Sequence, residues 1–320
     1  MRVAVTGSIA TDHLLTFEGR FAEQLLVDQL AHLSLVFLAS DLQVRRGGTG
    51  ANIAFGMGVL GQRPLLVGSV GRDAGDYLTW LDDHGVDTGG VRVSETLASP
   101  RFTCTTDLDH NQLGTFYPGA MAEAAQIELA PLGEVDLVVV APNDPGAMLR
   151  HSAECRARGV AFAADPSQQL AFLDGESVRQ LVTGATWLFT NRYESGLVRE
   201  RTGWSDEEVL DVVGTRVVTH GKDGVVITRK GEPELRVPVV PAEGALEPTG
   251  VGDAFRAGFL TATGWGLGLE RSAQVGSLLA THVLETVGTQ EYTVSRQAFL
   301  DRLAGTYGDE AAAEVGPHLP

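Results

Sequence analysis

The residues that could do chemistry gather first in two glycine-rich runs. Pro248-Thr249-Gly250-Val251-Gly252-Asp253-Ala254-Phe255-Arg256-Ala257-Gly258 sets two glycines around one small apolar residue, with an aspartate where a helix would begin. Glycines let backbone amides turn toward an anion with no Cβ in the way. A helix N-terminus adds partial positive charge at the same point. The amides of Gly250, Val251 and Gly252 would then hold a transferring phosphoryl group, while Asp253 takes the proton of an attacking hydroxyl. Read alone, the run is equally a glycine turn with Asp at an ordinary helix-start position. No Walker A pattern, G-x-x-x-x-G-K-[ST], occurs in the chain. The second run, Gly47-Gly48-Thr49-Gly50-Ala51-Asn52, would let a ligand approach the backbone and puts Asn52 on a first helical turn; by itself it is also a plain strand-to-helix loop.

The elements that must position these runs follow from hydrophobic periodicity. Val3 to Val5 is a short apolar strand. Leu14 to Phe17, Ser34 to Leu38 and Leu42 to Arg46 alternate apolar and polar residues, as strands with one wet face do, and so do Arg101 to Asp107 and Gln112 to Tyr117. These five make a small side sheet. From Val135 to Val140 the rhythm changes to continuous apolar strands alternating with helices: Pro145 to Arg158, Val160 to Ala164, Gly175 to Val182, Trp187 to Thr190, Arg192 to Arg201, Arg216 to Thr219 and Val225 to Thr228. Such alternation implies right-handed βαβ units and a parallel sheet. The chain from Asp253 onward reads as helical, with Asp309 to Pro320 a peripheral tail.

Composition bounds the function. The chain has 320 residues, 43% hydrophobic, enough for a large core, and a net charge of −17. That charge repels nucleic acid and anionic membrane, so neither is an expected partner. It also repels ATP, so any phosphate site must be built locally from amides, a helix end or a metal ion. Two isolated cysteines, Cys104 and Cys155, make neither a disulfide framework nor a metal cluster. No apolar run has the length of a membrane span or a signal peptide, so the protein reads as cytoplasmic.

With these runs in view, the sequence resembles the PfkB (ribokinase-like) family of carbohydrate and nucleoside kinases. The two glycine runs stand in the order of that family's two signatures. Asn191-Arg192-Tyr193-Glu194 resembles its N-x-x-E motif, and Thr219-His220-Gly221-Lys222-Asp223-Gly224 its T-x-G-x-x-G nucleotide loop. Met1 to Asp12, Arg101 to Thr106, Phe116 to Met121, Ala163 to Ala171 and Pro248 to Gly264 further resemble the actinobacterial type of adenosine kinase. The resemblance implies an α/β domain with a parallel-rich sheet flanked by helices (1–12, 47–97 and 119–320) and a small β-lid (13–46 and 98–118); the exposed edges of such a lid predict a homodimer through it. It implies transfer of the γ-phosphate of ATP, with Mg²⁺, to the 5′-hydroxyl of adenosine in purine salvage.

The same resemblance implies residue roles. Asp12 takes the two ribose hydroxyls, a geometry that one carboxylate satisfies. Gly48 and Asn52 complete the sugar grip, and Ser8 touches the base or ribose edge. Phe102 and Phe116 flank a purine, or else are core of the small sheet. Gln168 and Gln169, at a strand end, pair with an adenine edge. Asn191 serves the nucleotide, and Glu194 orders water around Mg²⁺. Thr219, Gly221 and Gly224 line the ATP site with Lys222 near the phosphates. Arg256 is a phosphate contact or a structural ion pair. The family's usual D-T-x-G-A-G-D departs here: Glu247 stands for the first Asp, Pro248 for Thr and Val251 for Ala. The Asp region holds a monovalent cation in several relatives, which makes potassium a candidate cofactor. Val36 stands where a serine is expected. The competing readings are a kinase for ribose, fructose, guanosine or inosine, and a nucleotide-binding module without catalysis. A dinucleotide oxidoreductase is a distant third reading, since no G-x-G-x-x-G follows the first strand.

Overall fold

The structure, a computed structural model, describes residues 1–320 except 25–33 and 245. The first half of the chain forms β1 (Val3–Thr6), β2 (Ala10–Phe17), α1 (Phe21–Gln24), β3 (Ala39–Gly47), α2 (Thr49–Val59), β4 (Leu65–Val70), α3 (Gly75–Asp83), β5 (Asp87–Val93), β6 (Arg101–Thr106), β7 (Gln112–Tyr117), β8 (Leu137–Val140) and α4 (Pro145–Arg158). The second half forms β9 (Ala161–Ala164), α5 (Gly175–Val182), β10 (Trp187–Asn191), α6 (Arg192–Thr202), α7 (Asp206–Val212), β11 (Thr215–Thr219), β12 (Val225–Thr228), β13 (Leu235–Val237), α8 (Val251–Gly264), α9 (Leu269–Leu284), α10 (Arg296–Tyr307) and α11 (Asp309–Val315).

Nine strands make one sheet in the order β13-β12-β11-β10-β9-β8-β1-β4-β5. From β5 to β11 neighbours run parallel, and β12 and β13 turn back antiparallel. The apolar run of β8 shows why. Leu137 and Val139 point into a core shared with α2, α8 and α9, while Val138 and Val140 point into a second core shared with α4, α5 and α6. With both faces covered, every position of the strand must be apolar. Burying each such side chain contributes about 1.5–3 kcal/mol.

Four strands make the small sheet, in the order β3-β2-β6-β7. β2 pairs with β6 in parallel, and the outer pairs are antiparallel. The register sets Asp12 opposite Phe102 and Phe102 opposite Phe116, so all three lie in a row on one face.

Three expectations are corrected. Ser34 to Leu38 is not a strand: Val36 and Leu38 are nearly fully exposed, at 89% and 88%. Phe37 instead anchors this stretch against Phe17 and Phe21, with ring centroids 5.1 and 4.9 Å apart. The sheet also gains β5 and β13, its two edge strands. Their sequences, Asp87-Thr88-Gly89-Gly90-Val91-Arg92-Val93 and Leu235-Arg236-Val237, carry little apolar signal because an edge is half solvated. Finally, the tail is not peripheral: Ala311, Val315 and Leu319 are buried in the core beside Phe299 and Leu303. Among the described residues no helix is long and apolar enough to cross a membrane. Cys104 and Cys155 are buried free thiols.

Candidate active site

The strand order reverses at β1, which has β4 on one side and β8 on the other. Open α/β sheets bind ligands in the crevice at such a point, beyond the carboxyl ends of the strands. A cleft of about 600 Å³ lies there, between the strand ends, the small sheet and the start of α8.

The floor of the cleft is the glycine run. Gly250 caps α8 in the left-handed conformation at φ 77°, and a Cβ there would stand 2.7 Å from Thr289 Cγ2. A Cβ on Gly252 would stand 2.7 Å from Arg256 Nη1. Gly250 therefore requires glycine for its dihedral, while at Gly252 a side chain would have to displace the Arg256 guanidinium. No side chain caps α8, so its first-turn amides keep donating capacity toward the cleft. Gly250, Gly252 and Asp253 line the cleft; Val251 lies behind, its amide 3.4 Å from the Pro248 carbonyl.

Asp253 is partly exposed to this space. Its Oδ2 accepts a hydrogen bond from Asn52 Nδ2 at 2.9 Å. Burial pushes its carboxyl from the ordinary 3.8 up to about 6, opposed by the Arg256 charge and the Asn52 hydrogen bond. Arg256 resolves into an ion pair: its Nη2 donates to Asp165 Oδ1 at 2.6 Å, with both side chains buried. Burial raises the Asp165 carboxyl to about 7 against the pull of Arg256. Arg256 also reaches the cleft wall, so the ion pair does not remove it from the site.

The row Asp12, Phe102, Phe116 lines the cleft from the small sheet, together with Ser8, Gly48 and Asn52. A Cβ on Gly47 would stand 2.6 Å from Asp12 Oδ2, so glycine at the end of β3 makes room for that carboxylate. Burial, then the nearby Glu247, raise Asp12 to about 6, and Arg45 opposes them. Glu247 itself is paired with Arg45 Nη1 at 2.7 Å. Gln168 and Gln169 sit in the turn Ser167–Ala171 after β9 and line the opposite wall. Gln169 Nε2 donates to the Asn143 carbonyl at 3.1 Å.

Asn191 and Glu194 form a reciprocal capping box at the start of α6. Asn191 Oδ1 accepts from the Glu194 amide at 2.8 Å, and Glu194 Oε2 accepts from the Asn191 amide at 2.7 Å. Both side chains still line the cleft, as does Thr219 at the end of β11. Gly221, Lys222 and Gly224 do not: they follow in a single 3₁₀ turn beyond it. Sequence reading also missed four residues. Phe172, 81% exposed, stands at the rim of the cleft. Met121 lines it as well, and Thr289 and Gln290 bond to Asn52 from behind. An exposed aromatic one residue past a glutamine turn was a usable signal for Phe172; nothing local marks the other three.

The sequence profile described as pfkB family carbohydrate kinase matches residues 11–296, and the chain belongs to that family. A nucleoside kinase of Burkholderia thailandensis, solved in complex with inosine, matches with a TM-score of 0.85 at 34% identity, over 96% of this chain and 98% of that one. A nucleoside kinase of Methanocaldococcus jannaschii is 28% identical over 80% of this chain and 85% of its own length. A ribokinase of Thermotoga maritima, at 21% identity over 95% of this chain and 99% of that one, shares the ribokinase-like fold with a TM-score of 0.78.

Proposed function

We propose that the protein is an ATP-dependent nucleoside kinase that phosphorylates adenosine at its 5′-hydroxyl, in salvage of purine nucleosides. The observation that carries this reading is one cleft holding Asp253 above uncapped helix amides and, on the small sheet, the row Asp12, Phe102, Phe116. A carboxylate suits a vicinal diol, two rings suit a base, and a second carboxylate suits the hydroxyl to be activated. Asp253 takes the 5′-hydroxyl proton as the O5′–Pγ bond forms and the bond from Pγ to the β-phosphate oxygen breaks, releasing ADP. The amides of Gly250 and Gly252 at the start of α8 stabilise the charge on the moving phosphoryl group. The small sheet acts as a lid that excludes water as a competing acceptor.

Magnesium fits the donor set. Among the described residues no three His, Cys, Asp or Glu side chains form a cage, and ATP-bound Mg²⁺ needs none, since it uses few carboxylates and keeps several waters. Glu194, which lines the cleft, is the carboxylate that would order that water shell. When bound, the ion neutralises phosphate charge.

The test is ADP release with ATP, Mg²⁺ and a panel of adenosine, inosine, guanosine, ribose and fructose. Adenosine leading the panel supports the reading, and bare sugars exceeding every nucleoside overturns it. Inosine is the second reading, favoured by the inosine complex of the Burkholderia relative.

A further inference from the structure

The side chains that hold Asn52 connect Asp253 to the hinge of the small sheet. Asn52 Oδ1 accepts two hydrogen bonds, from Thr289 Oγ1 and from Gln290 Nε2, each at 2.9 Å. An amide whose oxygen is fixed by two donors has its NH2 aimed the other way, here at Asp253 Oδ2. Gln290 Nε2 also donates to Tyr77 Oη at 2.6 Å, and Tyr77 Oη donates to the Gly47 carbonyl at 2.7 Å. Thr289 Oγ1 lies 3.0 Å from the Arg46 carbonyl. Arg46 and Gly47 are the last residues of β3, where the small sheet joins α2. All four side chains are buried: Asn52 7%, Tyr77 7%, Thr289 5% and Gln290 1% exposed. Gln290 Oε1 has no partner, an orphan that costs stability. An apolar side chain at 290 would avoid that cost, so a role for the Gln290 NH2 accounts for the glutamine.

We infer that Gln290, assisted by Thr289, is a positioning residue: it aims the Asn52 amide at Asp253 and, through Tyr77 and Gly47, ties that aim to the position of the β3 hinge. This rests on Asp253 as the base. The base is thereby oriented in step with the lid, since movement of Arg46 or Gly47 disturbs the donors that hold Asn52. The charged and titratable groups facing Asp253 are Arg256 on its own helix, Asp165 after β9, Glu194 on α6 and Tyr292 after α9. The substitutions below leave all of them in place.

The experiment compares Gln290→Leu, Thr289→Val and Thr289→Ser in the full chain, measuring kcat and KM from pH 5 to 9. In the first two, kcat falls about 10- to 100-fold, the usual consequence of a misdirected catalytic group. The acid limb of the kcat profile moves up by about one pH unit, because the lost Asn52 donation supported the carboxylate form. KM for ATP stays within about twofold, since these residues bond to the base's support and not to the nucleotide wall. Thr289→Ser, which keeps the hydroxyl, restores the parental profile. A folded Gln290→Leu or Thr289→Val with the parental acid limb, or with an equal loss at every pH, overturns the inference. Thr289→Val is nearly isosteric and carries the test if Gln290→Leu does not fold. Failure of the underlying reading is separable: turnover surviving in Asp253→Asn removes the base itself, whereas an inactive Asp253→Asn with an unmoved limb removes only the role of Gln290.

Discussion

At the scale of single residues, burial sets the chemistry of Asp253. A carboxyl raised to about 6 is ionised at neutral pH yet basic enough to take a proton in the transition state. Turnover therefore rises as pH climbs through about 6 and levels above it. Asp253→Asn is expected to lower kcat by about 10²–10⁴-fold, the range a positioned base supplies; nucleoside binding followed by calorimetry should persist. The same shift has a stability consequence. A carboxyl whose folded pKa exceeds its unfolded value stabilises the fold below the unfolded value, and that contribution is lost as pH rises through the folded value. Asp253→Asn should therefore melt above the parent at pH 8, and the gap should close by pH 4. Phe172 belongs to this scale too. As a third ring at the cleft rim it is expected to contact the base, so Phe172→Ala raises the nucleoside KM by an amount equivalent to about 1–3 kcal/mol. The KM for ribose, which has no base, is unchanged in that variant.

At the scale of elements, legibility followed solvent exposure. The strand Leu137–Val140 could be read because a strand covered on both faces must be apolar throughout. The edge strands β5 and β13 could not, because their outer sides meet water and tolerate Gly, Asp and Arg. Ser34 to Leu38 showed the opposite failure: its alternation was real, but Phe37 packs against the rings of Phe17 and Phe21 without the stretch pairing as a strand. The tail misled through its alanines, which are weak hydrophobic signals and yet fit closely packed helix contacts. Val315 is fully buried in α11. Val315→Asp is expected to destabilise the protein by about 3–5 kcal/mol, the cost of a buried carboxylate without a partner. Denaturant unfolding measures it, and an unchanged midpoint would place the tail outside the core.

At the scale of the whole molecule, among the described residues the edge strands of the small sheet, β3 and β7, have no further strand paired to them. Its face away from the cleft exposes Leu42, Val44, Leu113 and Tyr117, each 46–57% accessible. Open edges beside apolar surface favour pairing with a second copy. Light scattering should report a mass near twice 33.9 kDa, and Leu42→Lys with Val44→Lys should shift it to the monomer.

The sequence by itself determined the parallel sheet, the helix that starts at the second glycine run, and the residue types at both ends of the cleft. These depend on local periodicity, on dihedrals only glycine adopts, and on motif spacing, all of which survive in one dimension. Tertiary structure alone decided which members of each motif face the cleft. It placed Thr219 on the wall and left Lys222 beyond it. It turned Arg256 to Asp165, and it brought Thr289 and Gln290 behind Asn52, which precedes them by most of the chain. Such contacts are set by the three-dimensional course of the backbone, and a buried glutamine has the same sequence signature whether it supports a catalytic group or caps a turn.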